Sequence, residues 1–276
     1  MVHGYSAKWI GVYNRYSQPT FSVGEYDWGN QNQSRGWIWA TATDPNGTGR
    51  LRTASSVFDF KTKDSLKQHG QYASWYGYGL GVGLVGDNTD AIEWKNRAVT
   101  FLKNHDTGYR TEEDGKPEKD HECEEFHGGR EVQQGYAYIL THPGVPTVAW
   151  QHYFDWGNDL REKIKALINA RKVAGVHAGS ALHTQDNAKQ RNVYAARVMG
   201  RKGDLYVRIG GDDDSWQPSH SGYRDYQEYA QGEGWKVWVA LPGNPAIQQA
   251  TFNEKLPIPT YRDPDSISIP DEWVRE

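Results

Sequence analysis

Four short apolar runs, spaced along the first two-thirds of the chain and separated by stretches of helical period, constrain the fold most. They occupy residues 21–24 (FSVG), 55–60 (SSVFDF), 98–103 (AVTFLK) and 147–150 (TVAW). A run this short matches a buried strand, and strands that alternate with helices predict β/α units joined in a parallel sheet. The helical signals lie between and around them. Residues 6–17 place Trp9, Val12, Tyr13 and Tyr16 on one face after Ser6, which can cap. KTKDSLKQH follows the second run, and EVQQGYAYIL (131–140) precedes the fourth. Residues 159–173 carry the clearest stripe, Leu160, Ile164, Leu167 and Ile168, with Gly175 as a stop. The stretch after Glu25, rich in Gly, Asn and Trp, and the glycine-rich residues 70–88 read as loops.

After about residue 183 the pattern changes. Residues 192–199 and 205–209, joined through Arg201-Lys202-Gly203-Asp204, read as a hairpin, and 236–241 as a further strand. From Pro242 the last 35 residues hold six of the 12 prolines and no periodicity, which predicts an extended tail. The expected division is therefore 1–185, 186–241 and 242–276.

Composition narrows the function classes. The apolar fraction of 37% becomes about 48% when the 30 glycines are added, the ordinary level of a globular protein. No apolar run approaches the roughly 20 residues that span a bilayer, so no membrane partner is expected. The first residues show no charged segment followed by an apolar core, and no signal peptide is expected. A net charge of −4 gives no electrostatic reason to expect nucleic acid. Cys123 is the single cysteine, which excludes an internal disulfide framework. With 12 Trp and 17 Tyr against 7 Phe, the aromatic weight falls on rings with a polar edge, as in sugar binders and in wet protein interfaces.

Two carboxylates stand at the carboxyl ends of expected strands, Glu25 after FSVG and Asp106 after AVTFLKNH. In parallel β/α barrels that rim carries the chemistry. A pair of acids amid tryptophans suits glycoside hydrolysis, and each acid equally suits a helix cap or a loop.

The segments FSVGEYDW, SVFDFKTK, AVTFLKNHDTG and QGYAYILTHPGVPTVAWQHYFDWG resemble, in that order, the last four strand regions of the α-amylase family of glycoside hydrolases, above all plant α-amylases and maltotetraose-forming amylases. The most specific signal is Asn104-His105-Asp106 after a hydrophobic strand, followed by AYILTHPG and then FDWG. The resemblance implies the C-terminal half of a (β/α)8 TIM barrel followed by a small antiparallel β domain. It implies Glu25 as general acid/base and Asp106 as the acid that grips sugar hydroxyls and stabilises the oxocarbenium-like transition state. Asn104 and His105 would contact the sugar. Trp28 matches either an aromatic platform or a packed loop residue.

The family's third carboxylate, the nucleophile, would stand just before Met1. Met1 to Ser6 resemble the residues that follow it, with His3 on the acceptor side and Gly4 at a position whose carbonyl ligates calcium in plant relatives. The resemblance thus implies calcium, an α-glucan substrate and an N-terminal amylase half that supplies the nucleophile, because four strands cannot close a barrel. The expected function is retaining hydrolysis of α-1,4-glucosidic bonds by a split α-amylase. A noncatalytic glucan-binding protein and a transglycosylase of the same superfamily stand beside it.

Three other signals are set aside. The cluster His121, Glu122, Cys123, Glu124, Glu125 and His127 matches no standard zinc spacing. Asp212-Asp213-Asp214 lacks the Gly and Glu of a calcium loop, and the glycines of residues 79–83 lead into no helix that could cradle phosphate.

Overall fold

The computed structural model describes residues 7–26, 31–42, 54–68, 72, 75, 83–85, 92–104, 126, 129–210, 216–218 and 226–240. Over these, four parallel strands alternate with helices and a five-stranded antiparallel sheet follows.

The parallel sheet runs in chain order β1 (Val23–Gly24), β2 (Ser56–Phe58), β3 (Ala98–Thr100) and β4 (Val145–Pro146). Helix α1 (Ala7–Ser17) precedes β1, and α2 (Gln31–Ala42) connects β1 to β2. Helices α3 (Phe60–Leu66) and α4 (Ile92–Lys95) lie between β2 and β3, and α5 (Gly129–Thr141) between β3 and β4. The register defines the two faces. Val57 pairs with Gly24 and with Ala98, and Val57 and Ala98 are fully buried in the core that includes Ile38 of α2 and Ile139 of α5. Side chains alternate along a strand, so Phe58 and Val99, one step further, point to the opposite face, level with Val145. Among the described residues β1 and β4 each pair on one side only.

One strand-end device, the Asp59 carboxylate, fixes the second unit. Asp59, directly after β2, caps α3: its carboxylate accepts from the Thr62 N–H (3.2 Å), the Thr62 hydroxyl (2.7 Å) and the Leu84 N–H (2.8 Å). Burial holds its carboxyl above the usual range, against the pull of those donors.

After β4 come α6 (Trp150–Phe154) and α7 (Asn158–Ala174). The stripe of α7 is as the sequence predicts, with Leu160, Ile164 and Leu167 buried, and Gly175 closes the helix in the left-handed region at φ 73°. The antiparallel sheet has the order β5-β6-β7-β9-β8, from β5 (Ala181–Thr184), β6 (Val193–Met199), β7 (Asp204–Gly210), β8 (Gln227–Gly232) and β9 (Trp235–Ala240). The expected hairpin is β6–β7.

Helix α5 joins the two layers, and every residue from Val132 to Thr141 is buried. Gly135 lies against Leu102 just beyond β3, while β7 and β9 touch the helix from the antiparallel sheet. Its two glutamines bond across that junction. The Gln133 side-chain oxygen accepts from the Glu233 N–H and the Trp235 indole, and Gln134 donates to the Gly234 carbonyl. Arg171 of α7 donates to the carbonyls of Leu140, His142 and Gly144, which a helix end would otherwise leave unpaired.

The elements depart from expectation in four places. Residues 31–42 are a helix rather than a loop. Gln31 at its start donates to the Gly83 carbonyl (2.9 Å), and Thr41 near its end accepts from the Ser55 N–H (2.9 Å). The face of α1 that carries Trp9, Tyr13 and Tyr16 is exposed, and Ile10, Gly11 and Asn14 are buried instead. The fourth strand lies at Val145–Pro146, ahead of the expected 147–150. Its pairing stops after Thr147, whose N–H reaches the Thr100 carbonyl, because the Ala149 N–H goes to the Tyr136 hydroxyl. Strands β5 and β8 had no sequence signal of their own; β8 exposes polar residues at a sheet edge. The tail from Pro242 lies outside the described residues, as do the three signals set aside above except Gly83.

Candidate active site

Glu25 follows β1 directly. One step beyond the Gly24–Val57 pair, it stands level with Phe58, Val99 and Val145, so the row across the sheet begins with a half-buried carboxylate and continues apolar. Its neighbours are held from the helical side. The Trp37 ring of α2 covers Gly24 and stacks on Tyr26, with ring centroids 6.0 Å apart and 27° between planes.

The third unit contributes Asn104, half-buried, four residues beyond the end of β3. His105, Asp106, Trp28, His3 and Gly4 lie outside the described residues. Between β3 and Asn104, Phe101 is buried edge-on against Phe58 (5.2 Å) and Phe60 (5.0 Å). The ammonium of Lys63 sits 5.2 Å from the centre of the Phe101 ring, a cation–π contact in a dry setting.

The fourth unit adds a buried pair that the sequence did not reveal. His152 of α6 lies 2.8 Å from the Tyr136 hydroxyl through Nδ1. That hydroxyl also accepts from the Ala149 N–H. Burial, with Lys103 nearby, pulls the His152 pKa down to about 4, so the ring is neutral near pH 7. Its ring meets Trp156 edge-on at 4.6 Å, and the Lys103 ammonium lies 5.8 Å from that indole. The segment that leads to Asn104 is thus tied to the end of the fourth unit. Trp150, at the start of α6, is 70% exposed and stacks on Phe154 at 4.1 Å, also exposed.

Among the described residues no three His, Cys, Asp or Glu side chains come together to hold a metal ion. Asp59, although a carboxylate at a strand end, is consumed by capping. Glu25, half-buried, is a second strand-end carboxylate among the described residues.

A parallel sheet of β/α units followed by an antiparallel β domain matches part of a β/α barrel with a C-terminal β domain. Comparison with known proteins specifies which. The family described as the α-amylase C-terminal beta-sheet domain matches residues 173–239. Probable alpha-amylase 2 of Arabidopsis thaliana is 35% identical over 253 residues, which cover 85% of this chain and 52% of that protein. The alpha-amylase type B isozyme of Hordeum vulgare is 33% identical over 148 residues, covering 54% of this chain and 83% of that one. The crystal structure of CldA, a cyclomaltodextrin glucanotransferase with a three-domain ABC distribution, superposes with a TM-score of 0.51 at 17% identity, over 86% of this chain and 52% of that chain. The chain belongs to the α-amylase family. It spans about half the length of the Arabidopsis relative.

Proposed function

We propose that this chain forms strands five to eight and the C-terminal domain of an α-amylase that hydrolyses α-1,4-glucosidic bonds in starch-like glucans with retention. The observation that carries the reading is Glu25. It stands directly after β1, at the carboxyl end of the strand, and is half-buried. Glu25 protonates the glycosidic oxygen as the bond to the leaving sugar breaks, then takes a proton from the water that cleaves the glycosyl-enzyme ester. Asp106 holds the hydroxyls of the reacting sugar and stabilises its positive charge. Asn104, His105, Trp28 and His3 complete the sugar contacts.

The nucleophile and the first four strands come from polypeptide that precedes these residues or from a separate N-terminal chain. The one-sided pairing of β1 and β4 supports such a completion, since four strands leave a barrel open. Gly4 would lend its carbonyl to calcium, with the other ligands on the completing half, and no step above depends on the ion.

A glucan-binding protein without catalysis is the second reading. It is favoured by the exposed, stacked rings of Trp150 and Phe154. Glu25→Gln in the completed protein separates the two. Hydrolysis of maltoheptaose should fall by about 10²–10⁴-fold, the usual contribution of a general acid/base, with glucan binding retained. Unchanged turnover would remove Glu25 from the chemistry, and no turnover in either form would favour the binding protein. Chain-length analysis of the products distinguishes hydrolysis from transfer to a second sugar.

A further inference from the structure

The geometry points to Trp37 as a positioning residue that fixes the face of the strand end from which the Glu25 side chain projects. This rests on the reading of Glu25 as the acid/base.

The argument begins with Gly24. A glycine inside a strand weakens it and needs a reason. Backbone conformation is not the reason, because Gly24 is not among the glycines with positive φ. Space is the reason. A Cβ built on Gly24 would lie 2.2 Å from Cη2 and 2.6 Å from Cζ2 of Trp37, closer than real carbon atoms come. The indole fills the place where a side chain at residue 24 would stand. Two residues on, the Tyr26 ring stacks on the same indole. Residues 24 and 26 therefore both face α2, and Glu25 between them faces the other way. To swing the Glu25 Cα–Cβ bond toward the helices, the peptide units on either side of Glu25 must rotate, and each rotation drives the backbone or the Tyr26 ring against Trp37.

The indole is itself held. Gln31 ties the first turn of α2 to the Gly83 carbonyl, and Thr41 ties the last turn to the Ser55 N–H. Ile38, next to Trp37, is fully buried in the core. Trp37 thus transmits the rigidity of the helical layer to the strand end. A general acid needs this, because a proton donor displaced by a fraction of an ångström loses its hydrogen bond to the departing oxygen.

The test uses the completed enzyme and two substrates that differ in their need for an acid. A maltooligosaccharide expels a sugar alkoxide, which must be protonated. A dinitrophenyl α-maltoside expels a phenolate that leaves unassisted. In both cases kcat/KM reports the first bond-breaking step. Trp37→Leu should lower kcat/KM on the maltooligosaccharide by about 10-fold or more and on the aryl substrate by less than about 3-fold. Trp37→Phe should restore part of the loss. Gly24→Ala, which pushes on the same indole, should give the same substrate-selective loss and carries the test if Trp37→Leu does not fold. Adding Trp37→Leu to Gly24→Ala should cost less than the two losses combined, because the added methyl group then has room. Equal losses on both substrates, or none on either, would overturn the assignment. Glu25→Gln is run alongside. If it shows the leaving-group dependence while the Trp37 and Gly24 variants do not, only the positioning role falls. If Glu25→Gln lacks it, the acid role and the inference fall together.

Discussion

The two sheets of this molecule are built to different standards. The antiparallel sheet has strands of four to seven residues and a ladder that runs the length of β6, β7 and β9. One of its faces joins the core shared with α5 and α7. The other is covered by a second cluster of Ala188, Val193, Ala195, Trp216 and Trp238. The parallel sheet has strands of two or three residues and is held from its helical side. Its pairing at β1 and β4 is one-sided among the described residues. A domain that closes on itself can serve as a foundation, whereas an open sheet is the part of a fold that receives something. The proposed function then implies a division of labour: stability in the antiparallel half and in its junction with α5, and the proposed chemistry at the ends of the short strands.

Substitutions can break that division. The largest effects should form a crossed pair. Glu25→Gln should remove about 10²–10⁴-fold of turnover in the completed enzyme while thermal unfolding hardly moves. Trp238→Ala, in the outer cluster, should cost about 3–5 kcal/mol of stability by denaturant titration and leave the kcat of the folded fraction unchanged. Activity lost together with folding in both variants would deny the separation. Next, Arg171→Met should cost about 1–3 kcal/mol, because the carbonyls of Leu140, His142 and Gly144 lose a charged donor at the junction.

Acid should loosen the same junction. His142 is fully buried, stacked on Tyr138 at 3.8 Å, with Nε2 2.6 Å from the Tyr194 hydroxyl. Burial pulls its pKa down to about 3, with Arg171 and Lys95 acting in the same direction. The unfolded chain, with an ordinary histidine near 6.5, takes up the proton more readily than the folded one. The contribution of His142 is therefore complete above about pH 6.5 and is lost as pH falls from there towards 3, at up to about 1.4 kcal/mol per pH unit. His152, held at about 4, adds to the same slope. Melting temperature followed from pH 7 to 4 should fall, and His142→Gln should flatten the dependence; an equal slope in that variant would acquit the histidine. The smallest effect is expected at Glu228→Gln. Its pair with Lys236, at 3.3 Å, lies on the exposed edge of β8 and should change stability by less than about 0.5 kcal/mol.

Sequence patterns revealed the elements whose signal is local. The stripe of α7 and its glycine stop, the β6–β7 hairpin, and the short runs that become β1 to β3 all carry their own periodicity or punctuation. Helix α2 does not. Its sequence, QNQSRGWIWATA, has a glycine at its centre and no continuous stripe, and its stability comes from Gln31 and Thr41 bonding to distant backbone. Reading that stretch as a loop hid Trp37, the ring that covers Gly24 and stacks on Tyr26. The aromatic face of α1 misled in the opposite sense, because helical spacing shows which residues share a face and not which face is covered. At the candidate site, Glu25 and Asn104 were named from the family segments around them. The Tyr136–His152 pair was not, since it joins residues 16 apart whose types also suit an ordinary core.

The most direct measurement is the release of reducing ends from amylose by the purified chain, first alone and then with a polypeptide that supplies the first four strands and the nucleophile. The account predicts no turnover from the chain alone, sustained hydrolysis from the pair, and loss of that hydrolysis with Glu25→Gln. Digestion by the chain alone, at the rate reached by the pair, would contradict it.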